Sequence, residues 1–78
     1  MEQKEKIFRV FAERIKQQRL KKGVSPECVA EETGLKISFL RAVEKGERRR
    51  LNREHIYKLA IYFDVKTDYL IGLTDKEK

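Results

Sequence analysis

Apolar residues along this chain recur three and four positions apart and never alternate strictly, so the pattern predicts helices and no strand. The first run, Lys4 to Lys22, carries Ile7, Phe8, Val10, Phe11 and Ile15 at helical spacing. Gly23 stops it, and Lys21 and Lys22 suit a last turn, where the helix dipole is negative. Ser25 as N-cap and Pro26 at the first helical position open a second helix, which runs to Thr33 before Gly34. A third begins near Ile37 and runs to Lys45, with Gly46 behind it. Lys36 is a poor cap for that helix, but Leu35 and Leu40 stand at hydrophobic-staple spacing across its start. The stretch GERRR reads as a loop. Asn52 caps a fourth helix, Arg53 to Phe63, with Leu51 and Ile56 as its staple. Thr67 caps a short fifth helix that ends at Gly72.

The join between the second and third helices is the informative place. Residues 29–46, VAEETGLKISFLRAVEKG, carry one amphipathic pattern interrupted by Gly34, Leu35 and Lys36. A glycine inside a helix costs about 1 kcal/mol relative to alanine, so its position there argues for a turn between two short helices, a helix-turn-helix. Gly34 takes the left-handed conformation without a Cβ penalty. Ala30 is small where the helices cross, and Leu35 plugs the corner. Leu40 and Val43, at i and i+3, face back against Val29 and Ala30. The opposite face of the third helix carries Lys36, Ser38 and Arg41. The expected fold is all-α: a compact five-helix bundle with a helix-turn-helix formed by helices 2 and 3. Residues 1–73 form the domain and residues 74–78 a flexible polar tail.

Seventy-eight residues make one small domain. Four Phe and three Tyr within a 40% hydrophobic composition supply a core without metal or disulfide. The single Cys28 cannot form an internal bridge, which fits a reducing cytoplasm, the expected location. No apolar run approaches a membrane span, and MEQKEKIF has no signal-peptide apolar region. The net charge of +6 is unevenly placed. Lys36 to Arg53 holds seven basic residues against two acidic, whereas Glu54 onward is slightly acidic. A basic stripe this local is either a footprint for phosphates or a solvated face.

Three ordered stretches carry a resemblance: FAERIKQQRLKKGVS, VAEETGLKISFLRAVEKGE and IYKLAIYFDVKTDYLIGL. From Phe11 to Leu73 the chain resembles the lambda-repressor-like helix-turn-helix family, also called the phage-repressor or xenobiotic-response-element type. The resemblance implies five helices, with the third lying in the DNA major groove. Carried residue by residue, it places base reading on Lys36, Ile37, Ser38 and Ala42, with Arg41 beside them reaching a base or a phosphate. Lys45 and the loop residues Arg48, Arg49 and Arg50 fall where the family touches the DNA backbone. Arg19 and Glu44 match a pair that in the family bridges helix 1 to helix 3, a structural role. The chain departs from the family pattern at three places. Ile37 and Ala42 are apolar where relatives often carry polar readers, which fits contact with thymine methyl groups, a helix that reads few bases, or a helix that meets a protein. Pro26 stands where a phosphate-binding Gln is common. The loop after Gly46 is one residue longer than usual, with Arg50 near the customary Pro.

Other chemistry is sparse. His55 has no second His or Cys at ligand spacing, so no metal is expected. Cys28 reads as a passive thiol and Ser25 as a cap. Phe8 and Phe11 read as core, while Tyr62 and Tyr69 fit either the core edge or a dimer contact. No phosphate loop or paired carboxylates stand out, so neither an enzyme, a cofactor nor a small-molecule substrate is expected. The sequence therefore points to a cytoplasmic transcriptional regulator of repressor type that reads a (pseudo)palindromic operator in double-stranded DNA, with no membrane partner. Two alternatives stand beside it. One is a protein-interaction module, antitoxin-like or anti-repressor, favoured by Ile37, Phe39 and Ala42 on or near the exposed face. The other is a nonspecific basic DNA binder. Because one such domain reads only a short half-site, a homodimer is expected through helix 5 and the end of helix 4, with Tyr69, Ile71 and Leu73 at its interface.

Overall fold

In the computed structural model, residues 2–47 and 52–78 are described, with side chains from Lys6 onward. Five helices follow one another: α1 (Glu2–Lys22), α2 (Pro26–Thr33), α3 (Ile37–Lys45), α4 (Arg53–Phe63) and α5 (Thr67–Leu70). No strand occurs among the described residues. None of the helices is long and apolar enough to cross a membrane. The expectations for Arg48, Arg49, Arg50 and the Leu51 staple lie outside the described residues.

The core follows from the periodicity of α1. Phe8, Phe11, Ala12 and Ile15 stand on one stripe and are all buried. Val29 of α2, Leu40 and Val43 of α3, Leu59 of α4 and Leu70 of α5 close over that stripe, each with almost no residual exposure. α3 packs against both α1 and α2, which fixes the helix-turn-helix on the long first helix.

The caps set the boundaries. Ser25 Oγ accepts the Cys28 N–H at 3.1 Å, and Asn52 Oδ1 accepts the Glu54 N–H at 2.8 Å. The start of α5 differs from the sequence expectation. Thr67 is the first helical residue, and Lys66 holds the cap position in extended geometry without a side-chain bond. The Lys66 N–H instead donates to the Glu77 carbonyl at 2.7 Å, a partner supplied by a remote part of the chain. α1 also begins two residues earlier than the apolar pattern indicated, and α5 ends at Leu70. Gly72 follows at φ +88°, a conformation that L side chains rarely adopt, and a Cβ there would stand 3.1 Å from Val10 Cγ1, close enough that the Val10 side chain would have to shift.

One polar contact ties the two ends together. The Arg14 guanidinium lies over the Tyr69 ring, 4.2 Å from its centroid, and donates to the carbonyls of Tyr69 and Thr74 and to Asp75. Residues of the 74–78 segment make further contacts with the helices. Glu77 meets Lys21 at 3.1 Å, and Lys78 meets Asp64 at 2.8 Å. Tyr69 is consequently part of this chain's own core, with Gln18 Nε2 donating to its hydroxyl at 3.4 Å.

Candidate nucleic-acid interface

The turn between α2 and α3 is built from local chemistry. Gly34 sits at φ 79°, ψ 7°, and its N–H bonds to the Ala30 carbonyl at 2.9 Å, closing α2. Thr33 Oγ1 donates to the Val29 carbonyl at 2.6 Å and accepts the Leu35 N–H at 3.2 Å. The chain is thereby led into the corner, where Leu35 is buried. Lys36 caps α3 without a side-chain bond, leaving its ammonium exposed beside the start of the helix.

Nine residues of α3 divide sharply. Phe39, Leu40 and Val43 are buried, and the opposite side presents Ser38, Arg41 and Lys45 to solvent. Ile37 and Ala42 are half-buried at the two margins of that outer face. Phe39 is not on the exposed face, contrary to the sequence expectation. It is four residues from Val43 and therefore on the same side, and its ring meets His55 of α4 at 4.3 Å. The outer face of α3 is accordingly cationic and polar, with apolar groups only at its edges.

Arg19 and Glu44 meet across α1 and α3. Arg19 Nε donates to Glu44 Oε2 at 2.7 Å and Nη2 to Oε1 at 3.0 Å, a bidentate pair. Arg19 Nη1 also donates to the Val24 carbonyl at 3.0 Å. The side chains keep only 15% and 13% of their exposure. Hydrogen bonding to Glu44, outweighing burial, holds the Arg19 pKa above its ordinary value. The pair fixes the angle of α3 from its inner flank and leaves the outer face clear.

A second ion pair crosses the motif on its outer side. Arg41 Nη2 donates to Glu27 Oε2 in the first turn of α2, with both side chains more than half exposed. Glu27 is held below the usual carboxylate range, first by its own backbone N–H, then by Arg41. The residue spacing gives no hint of this contact, since the partners lie fourteen positions apart on different helices. Sequence reasoning also missed the contribution of α4. His55 and Lys58 join Lys36, Ser38, Phe39 and Ala42 around an open depression of about 550 Å³ beside the α3 N-terminus. The signal for it is weak: His55 and Lys58 are three apart, one helical step, on a helix read mainly for its core.

Of the residues expected at a dimer contact, Tyr69 is buried, Ile71 half-buried and Leu73 70% exposed. Tyr57 and Ile61, four apart on the outer side of α4, are also largely exposed. No cluster of His, Cys, Asp or Glu suited to a metal ion occurs among the described residues.

No curated protein and no solved structure gives a significant match to the chain. A family model described as helix-turn-helix matches residues 15–70, from the inner stripe of α1 through both helices of the motif to the end of α5. That span covers well over half of the sequence, and the chain therefore belongs to the helix-turn-helix family of lambda-repressor and xenobiotic-response-element type.

Proposed function

We propose that this chain is a sequence-specific transcriptional regulator that inserts α3 into the major groove of a (pseudo)palindromic operator as a homodimer. Family membership supplies the coarser part, DNA binding by a helix-turn-helix regulator. The observation that carries the finer part is the outer face of α3. Lys36, Ser38 and Arg41 stand exposed on it, Ile37 and Ala42 flank it, and the Arg19–Glu44 pair braces the helix from behind. That combination suits direct readout, in which a rigid helix presents short polar and cationic groups to base edges and small apolar groups to thymine methyls. Lys45, exposed one turn beyond Arg41, is suited to a phosphate at the groove wall, as are Arg48, Arg49 and Arg50 by their place in the sequence.

A two-fold dimer follows from the shortness of one half-site, and Leu73 and Ile71 after α5 are the apolar groups nearest the expected interface. A second reading, a protein-interaction module on the same fold, draws on exposed Tyr57 and Ile61 of α4. Burial of Phe39 removes the strongest apolar group from the face of α3 on which that reading relied.

Selection of the protein's targets from random duplexes separates the readings. One enriched motif with half-sites a helical turn apart supports the regulator. No enrichment supports the interaction module, and merely compositional enrichment a nonspecific binder. Equilibrium sedimentation with and without the selected duplex tests the dimer. A single copy on an asymmetric site overturns it.

A further inference from the structure

The first turn of a helix is ordinarily a ready anion site, because its N–H groups point outward with the positive end of the dipole. α2 has that end closed. Pro26 carries no N–H, and the Cys28 N–H is bound to Ser25 Oγ. The Glu27 N–H faces its own carboxylate. That carboxylate adds a negative charge where a phosphate would approach, and it holds Arg41 of α3.

We infer that Glu27 is a positioning residue: it holds the Arg41 guanidinium in place and, by its own negative charge, disfavours a phosphate as the partner, which leaves Arg41 as a reader of a base edge. The inference rests on the reading of α3 as the groove-binding helix. A guanidinium has five N–H donors, so one bond to Glu27 leaves enough for a bidentate contact with the two acceptors of guanine. A neighbouring carboxylate repels an anionic phosphate oxygen, with its full charge, more strongly than the uncharged base acceptors N7 and O6. Glu27 thus selects between the two partners open to Arg41. Its ion pair also orders a long side chain before DNA arrives, which lowers the entropy lost on binding. An exposed pair of this kind adds little to folding stability, so a change in recognition on its removal can be read without a large change in unfolding.

The test uses the full chain and Glu27→Gln, Arg41→Ala and the double variant. Each is titrated with salt on the selected duplex, on its single-base-pair variants and on a random duplex, with thermal unfolding as a folding control. Glu27→Gln and Arg41→Ala should each weaken the preference at the same base pair of each half-site by about tenfold, and the double variant should lose no more than Arg41→Ala alone. Glu27→Gln should also strengthen binding to random duplex several-fold and steepen its salt slope by up to about one unit, as the released guanidinium turns to a phosphate. If Glu27→Gln strengthens binding to every duplex alike with base preference intact, Glu27 is only a repelling charge and the inference fails. It fails equally if Arg41→Ala flattens the salt slope on all duplexes without changing preference. A wild-type protein with no preferred duplex overturns the groove-reading proposal itself, a result distinct from either of these.

Discussion

Removing Glu44 should loosen α3 from behind, and the size of the effect follows from the geometry. Glu44→Ala deletes two charge-assisted hydrogen bonds, at 2.7 and 3.0 Å, from a guanidinium whose side chain keeps 15% of its exposure. Each such bond contributes about 1.5–3 kcal/mol, and breaking a buried pair from one side costs about 3–5 kcal/mol. Two features lower that figure here. Arg19 keeps its bond to the Val24 carbonyl, and the space vacated by Glu44 admits water to the freed donors. A net loss of about 2–3 kcal/mol is expected. For a domain of this size that corresponds to a melting temperature lower by roughly 10–20 °C. Arg19→Met should be of similar cost, because it leaves a carboxylate at 13% exposure without its partner. The assay is urea unfolding of both single variants and the double variant, followed by circular dichroism. The double variant should be more stable than the sum of the single losses by about 1–3 kcal/mol. Losses that add within about 0.5 kcal/mol would refute the clamp.

Three further outcomes are expected. Gly72→Ala should cost about 1–2 kcal/mol in thermal unfolding, since it forces a Cβ against Val10 at a φ of +88°; an unchanged melting temperature would show that α1 yields freely. Tyr62 is held above the ordinary tyrosine range by burial and by donating to Glu32, so its folded pKa exceeds its unfolded one. Its contribution to stability is therefore complete below the unfolded tyrosine pKa of about 10 and is lost as pH rises toward the folded value. An alkaline absorbance titration should show a late component that disappears in Tyr62→Phe and moves down in Glu32→Gln. Arg49→Ala and Arg50→Ala should weaken binding to selected and random DNA alike and flatten the salt slope by up to about one unit each, whereas Lys36→Ala and Ser38→Ala should relax one base-pair preference by about 1–3 kcal/mol; the reverse pattern would move the reading head off α3.

The parts of this fold legible in the sequence are those decided locally. The bounds of α2 and α4 and the turn at Gly34 rest on Ser25, Pro26, Asn52 and glycine, each acting within a few residues of itself. α3 was as readable, because Gly46 and the Leu40–Val43 step mark it even with a lysine at the cap. The remaining features depend on partners brought together only by folding. Lys66 rather than Thr67 holds the cap position of α5, and its N–H is satisfied by the Glu77 carbonyl, a partner outside the local sequence. Tyr69 is taken into the core because Arg14 covers its ring. The same holds at the candidate interface: the exposed side chains of α3 follow from helical periodicity, but Glu27 beside Arg41, and His55 and Lys58 around the depression, come from other helices. Phe39 is the exception, since its spacing to Val43 was already enough to place it inside.

The contact at Arg14 reaches partners 55, 60 and 61 residues away, so it closes the greater part of the chain into a loop. Contacts that close a large loop form late in folding, after nearer ones have reduced the entropy at stake. α2 and α3 lie inside that loop, and α1, on which α3 is braced, is one side of its fastening. Any partial opening that frees α2 and α3 while this clasp holds takes place within a closed loop, which limits how far they can move from α1 and lowers the entropy the opening gains.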